Sequence, residues 1–170
     1  LPDPSTVTQA LMKGEVDLID PPPGDLIPLL RANRGVVVEV LNAAGNIGTI
    51  RPNSLIPPFN NPKARAALQL LMDQKMFNAA IATEPHYAQE CHALFVCGTP
   101  YATDVATAPW REANLEKAKA LLAESGYRGE PIILLDPADQ ADIHTLALIT
   151  ADQLRRIGAN VVVQTMDWST

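Results

Sequence analysis

The chain has 170 residues, 47% of them apolar, with 13 Lys and Arg against 19 Asp and Glu for a net charge of −6. That length fits one domain, residues 1–170, which buries roughly 70% of its unfolded surface and needs no metal or disulfide scaffold merely to fold. The acidic balance without a basic block argues against nucleic acid as a partner, and no apolar run approaches the roughly 20 residues of a membrane-spanning helix.

The chain opens on Leu1 rather than Met, so its start reads as a boundary made by processing or by excision from something larger. Thr8, Leu11 and Met12 share one side of a short helix that Gly14 stops. Val16 to Ile19 reads as a short strand, ended by Pro21, Pro22 and Pro23. Leu26, Ile27, Leu29 and Leu30 suit a two-turn helix, and the β-branched run Val36 to Leu41 reads as a buried strand. Ala43 to Gly48 turns the chain, and residues 49–55 read as a further strand.

Asn61 before Pro62 marks a helix start, because Asn accepts from an orphan backbone donor and Pro lacks that donor at the first position. Ala64, Ala67, Leu68, Leu71 and Met72 form its apolar face, and Asp73 caps a second helix running to Ile81. Residues 82–111 hold Pro85, Pro100, Pro109 and both cysteines without a sustained period, which predicts a long irregular excursion. Asn114 opens another helix, with Leu115, Ala118, Leu121 and Leu122 inward and Gly126 at its end. Pro131 to Leu135 is a strand. Ile143, Leu146, Ala147, Leu154 and Ile157 mark an amphipathic helix stopped by Gly158, and Val161 to Met166 is the closing strand. Helix, strand, helix and strand with short connections predict a parallel βαβ unit within a three-layer α/β domain.

Three groups of residues could carry chemistry. Cys91 and Cys97 lie in a segment that also holds His86, Glu90 and His92, and three readings compete there. In an oxidising compartment the two thiols pair as a disulfide. A small metal- or thiol-dependent enzyme would instead draw zinc ligands from His86, Cys91, His92 and Cys97, or set Cys against His as a nucleophile pair. The spacing is not the usual C-x2-C knuckle, and adjacent Cys91 and His92 point poorly at one ion. The second group is Asp136, Asp139 and Asp142, just after the strand. It is either a ligand-facing loop, since α/β sheets bind where strands end, or a helix start that Asp139 caps. His144 sits beside the apolar Ile143 and reads as a boundary residue, while Trp110 and Trp168 read as core or interface anchors. The third is Ala44-Gly45-Asn46-Ile47-Gly48, which lacks the Lys and Ser/Thr of a phosphate loop and reads as a turn. No catalytic constellation emerges, and the residues by themselves point to a binding or interaction domain.

Several stretches, in order, resemble the family-5 extracellular solute-binding proteins of bacterial ABC transporters, the dipeptide- and oligopeptide-binding type. They are Ala10-Leu11 with Gly14-Glu15-Val16-Asp17; Asn53 with Pro58-Phe59-Asn60, Arg65, Ala67-Leu68 and Asp73; Lys117-Ala118-Lys119 with Leu121-Leu122, Glu124 and Gly126-Tyr127; and Leu154, Ile157-Gly158, Val161 and Asp167-Trp168. Ala64, Ser125 and Ser169 depart from the pattern. The resemblance implies a three-layer αβα lobe with a mixed, mostly parallel sheet, of the periplasmic binding protein type II kind. It implies that residues 1–170 are most of the second lobe of a two-lobed protein, whose first lobe is missing here. It also implies that Cys91 and Cys97 form a disulfide, that the location is periplasmic, and that the chain is not an enzyme and needs no cofactor or metal. The loop after Ile132–Leu135 becomes the expected ligand contact, through Asp136, Asp139 and Gln140. The implied partners are a small-molecule or peptide solute and the permease subunits of an ABC importer, with no nucleic acid. The Arg and Trp that some peptide binders use in this loop are absent.

Overall fold

The computed structural model describes residues 3–82, 84–105 and 107–170, so Thr83 and Ala106 of the predicted irregular stretch lie outside the described residues. The chain divides into two compact units, residues 1–45 and 46–170.

In the first unit, Pro4–Lys13 forms α1. The Asp3 carboxylate accepts from both the amide and the hydroxyl of Thr6 at 2.7 Å, satisfying one orphan donor of the first turn. Gly14 ends the helix at φ 75°, a left-handed conformation that only glycine adopts without strain. A 3-10 turn at Gly24–Leu26 leads into α2, Ile27–Ala32, as the apolar spacing predicts. Thr8, Ala10 and Leu30 are buried.

Two predicted strands do not form. Residues 16–19 and 36–41 pair with no ladder among the described residues, and Val37, Val40 and Leu41 are exposed. Strand propensity describes a side chain's fit to a pleated, half-buried surface, so a β-branched run without a neighbouring strand does not become one. Of the turn expected over Ala43 to Gly48, the first part forms, with the Gly45 amide donating to the Asn42 carbonyl at 3.0 Å.

The second unit carries the rest. Residues 49–55 are not a strand either, since the Leu55 amide turns back to the Asn53 side chain at 3.0 Å, an Asx turn that interrupts extension. Asn61 caps α3, Pro62–Leu70, by accepting from the Lys63 amide, and its Nδ2 donates to the Ser125 carbonyl at 3.1 Å. One side chain thus starts α3 and holds it to the end of α5, Leu115–Glu124. The two helices pack through Ala64, Ala67 and Leu68 against Ala118 and Leu122, all buried. Between them, Asp73 caps α4, Gln74–Ile81, from the Lys75 and Met76 amides.

The closing elements follow the predicted order. Strands β1, Ile132–Pro137, and β2, Val161–Met166, pair in parallel from Ile132 opposite Val161 to Pro137 opposite Met166. The intervening α6, Ala141–Arg156, packs on both strands and on α4. Ala151, Leu154, Ile132 and Val161 join α3 and α5 in one core. Ile133, Leu135 and Val162 alternate outward and are exposed. The α/β class is as expected. The sheet is smaller than the mixed one predicted, with two parallel strands among the described residues, because the three runs read as further strands lack ladder partners.

Candidate functional site

The C-terminal ends of β1 and β2 and the start of α6 converge on Asp136. Its carboxylate is 1% exposed. One oxygen lies 2.7 Å from His144 Nδ1, and the other accepts from the Thr165 hydroxyl at 3.0 Å. A buried carboxylate is tolerated only when its lone pairs meet donors, and here β2 and α6 each supply one. The imidazole turns its Nδ1 edge toward this carboxylate. His144, the fourth residue of α6, has its side chain 37% exposed. Its Nε2 has no hydrogen-bond partner among the described residues.

The loop that follows is tied down residue by residue. The Ala138 amide donates to the Met166 carbonyl at 2.9 Å and the Gln140 amide to the Pro137 carbonyl at 3.0 Å. Asp139 does not cap α6. The cap position is taken by Gln140, whose side chain makes no capping bond, and Asp139 accepts instead from the Trp168 amide at 2.8 Å, closing the loop onto the exit of β2. The backbone path past Ala138 carries Asp139 away from the helix amides. Asp142 stands exposed in the first turn, where a negative charge suits the helix dipole. Beyond β2, the Thr170 and Ser169 hydroxyls, then the Thr170 amide, hold the Asp167 carboxyl below the usual aspartate range. Trp168 is exposed rather than an anchor in the core, whereas Trp110 packs against the core cluster.

Of the predicted contact residues, Asp139 and Gln140 are therefore exposed, and Asp136 lies beneath them with both oxygens engaged. His144 is the boundary residue that its place beside Ile143 predicts, and the sequence reading lacked its bond to Asp136. The signal that would have found it is a strand ending in Asp followed by a His one turn into the next helix, a spacing that lets the imidazole reach back over the strand end. A hollow of about 430 Å³ lined by Pro57, Pro58, Asn60, Asn61, Tyr127 and Glu130 shares no residue with this loop.

The other candidate resolves differently. Cys91 and Cys97 are joined, with Sγ–Sγ 2.11 Å. Both sulfurs are thereby withdrawn from metal binding and from nucleophilic attack, which overturns the reading of a metal or thiol enzyme built on Cys91, Cys97, His86 and His92. His86 faces Glu84 at 3.5 Å and His92 faces Glu90 at 3.9 Å, and among the described residues no group of three or more His, Cys, Asp or Glu is arranged to hold an ion. Gln74, the first residue of α4, grips the disulfide loop from both sides. Its Nε2 donates to the Cys91 carbonyl at 2.8 Å and its Oε1 accepts from the Cys91 amide at 2.6 Å.

The family described as bacterial extracellular solute-binding proteins, family 5 Middle, matches residues 1–170. A Sinorhizobium fredii protein named as a probable peptide ABC transporter periplasmic-binding protein is 37% identical over 169 residues, covering 99% of this chain and 32% of its own. The periplasmic oligopeptide-binding protein of Escherichia coli is 33% identical over 131 residues, 69% of this chain and 22% of its own. The chain thus spans a third or less of the length of these relatives. Among solved structures, the periplasmic binding protein DppA of Helicobacter pylori, in complex with the peptide STSA, has a TM-score of 0.77 at 24% identity, over 99% of this chain and 32% of that one. The agropinic acid complex of AgaA from A. tumefaciens R10 has a TM-score of 0.75 at 22% identity, over 99% and 34%. Such likeness shows the fold. No helix among the described residues is long and apolar enough to cross a membrane. With the family matched from the first residue to the last, the chain belongs to the family-5 bacterial extracellular solute-binding proteins.

Proposed function

We propose that residues 1–170 are most of the second lobe of a two-lobed periplasmic receptor that delivers a small solute, a peptide or peptide-like molecule, to an ABC importer. The observation that carries the reading is the match of the family over the whole chain, with a named peptide-transporter relative at 37% identity. The sheet end supports it. In α/β folds ligands lie beyond the carboxyl ends of the strands, and here that end presents Asp139 and Gln140 on a loop bonded to the end of β1, the end of β2, the first turn of α6 and Trp168 beyond β2. Asp136 shapes this surface from below. Binding would close a cleft between this lobe and the first, because a solute touching both lobes favours the closed state by its differential affinity. The closed receptor then docks on the permease. The chain itself carries no catalytic step.

Calorimetry of the longer receptor and of residues 1–170 alone, against peptide, opine, sugar and metal-chelate panels, tests this reading. The receptor is expected to bind one class, and the isolated chain to bind it at least tenfold more weakly. Equal affinity for the two would overturn the two-lobe account.

A further inference from the structure

We propose that the hollow at the carboxyl end of α5 is a docking site for an arginine side chain of a partner protein, with Glu130 as the carboxylate that receives its guanidinium. The hollow, of about 430 Å³, opens between the turn at residues 57–62 and the end of α5. Pro57, Pro58, Pro62, Asn60, Tyr127 and Glu130 are among the residues that line it. It lies ahead of Ile132, the first residue of β1, and roughly 13 Å of strand runs from there to Asp136. Which solute the sheet end receives therefore has no bearing on it.

The walls are held in place before any partner arrives. The Tyr127 hydroxyl donates to the Glu130 carbonyl at 2.7 Å and accepts from the Asn160 amide at 2.8 Å, while the residue packs against the core cluster. The Glu130 carboxylate accepts from the Arg128 amide at 2.9 Å, and this bond, followed by that of its own amide, keeps the carboxyl below the usual glutamate range. A carboxylate has about four lone-pair directions, so acceptor capacity is left over. The end of α5 adds the partial negative charge of a helix terminus, through Ser125 and Gly126 in the lining. Nearby cations are committed elsewhere: Lys63 to Glu124 at 2.8 Å, and Arg65 to the Phe59 and Asn60 carbonyls at 2.7 and 3.2 Å. Arg128, whose charge also acts on Glu130, does not line the hollow.

This combination selects the occupant. A tyrosine ring and three prolines suit the alkyl stem and flat, weakly hydrated head of an arginine, which meets a carboxylate with two parallel N–H bonds. A lysine ammonium is compact and strongly hydrated, and loses more by leaving water. Pro57, Asn60, Pro62 and Glu130 are exposed, so the mouth is open to a protein surface. On a chain of net charge −6, a basic partner is also the complementary one.

The test titrates Nα-acetyl-arginine amide into the longer receptor and follows its backbone amides by NMR. Amides of residues 59–61 and 125–130 should shift and saturate near ~1 mM, the affinity that a probe of this size reaches through one side chain. The citrulline analogue, equal in shape but uncharged, should bind about tenfold more weakly, and the lysine analogue should also fall behind arginine. Glu130→Gln should weaken the arginine probe about tenfold and leave the thermal midpoint where it is, because the side chain is exposed and the amide oxygen still accepts from Arg128. Free arginine should bind no better than the blocked probe, since a partner presents only the side chain. Equal binding of citrulline or lysine, an unchanged affinity in Glu130→Gln, or a preference for free arginine overturns the assignment. So does the absence of shifts at these residues. Shifts confined to residues 136–145 would also overturn it, while leaving the receptor reading to the calorimetric panel.

Discussion

Residues 115–166 and residues 84–105 sit in the same unit and are held by different kinds of force. The first stretch, α5 through β2, is built on repeated burial: Ala118, Leu122, Ile132, Ala151, Leu154 and Val161 are all inside, and each neighbour supports the next. The second contains only a 3-10 turn, Pro85–Tyr87, and it is fixed by one disulfide and the Gln74 grip, with Leu94, Phe95, Tyr101 and Val105 exposed. Distributed packing makes many residues matter moderately. A stapled loop concentrates the effect in a few residues. The difference also separates a surface shaped to a defined geometry, at the end of β1 and β2, from one that is merely prevented from unravelling.

That contrast can be broken first where packing is densest. Leu154→Ala in α6, 3% exposed in the native chain, should cost about 2–5 kcal/mol in urea unfolding, because the lost transfer energy is joined by a cavity that the sheet and α5 cannot fill. A loss below about 1 kcal/mol would mean that the core is less close-packed than described. Next comes the staple. Replacing Cys91 and Cys97 together by Ser should cost about 2 kcal/mol, the loop-entropy value for so small a ring, and act chiefly on the unfolded chain. Hydrogen exchange should then rise over residues 84–105 and stay unchanged over 132–166. Equal loosening of both stretches would contradict the division.

Smaller effects sharpen it. Asp73→Ala removes the cap of α4, the helix that carries the Gln74 grip, and is expected to cost about 1 kcal/mol in thermal or urea melts. The smallest effect is electrostatic. The Thr170 and Ser169 hydroxyls stabilise the Asp167 anion in the folded chain, so its folded pKa lies below the ordinary 3.8. The anion's contribution is present above that value and fades as the pH falls through it, which Asp167→Asn should abolish in acid titrations of stability. A pH dependence identical in both proteins would show that the Asp167 contacts do not persist in solution.

What was legible in the sequence follows the same line. The caps Asn61, Asp73 and Asn114 and the periodic faces of α3, α5 and α6 are local codes, so the helices and the βαβ order could be read residue by residue. The runs 16–19, 36–41 and 49–55 were misread as strands because a strand is a property of two segments, and the partner is not written in the run itself. The site was half legible. Asp136, Asp139 and Gln140 announce themselves by lying after a strand, but that Asp139 would turn to the Trp168 amide, and that His144 would fold back onto Asp136, depends on how the loop threads past Ala138. The cysteine pairing is open from spacing alone and is implied by the family resemblance, with which the Cys91–Cys97 bond agrees.

The central claim is that the end of β1 and β2, and not the stapled loop, faces the solute. Hydrogen exchange of the longer receptor, with and without a mixture of di- to pentapeptides, measures this directly. Peptide segments covering residues 136–145 and 165–170 should gain protection, while those covering 91–97 keep their rates. Protection at 91–97 with none at 136–145 would contradict the account.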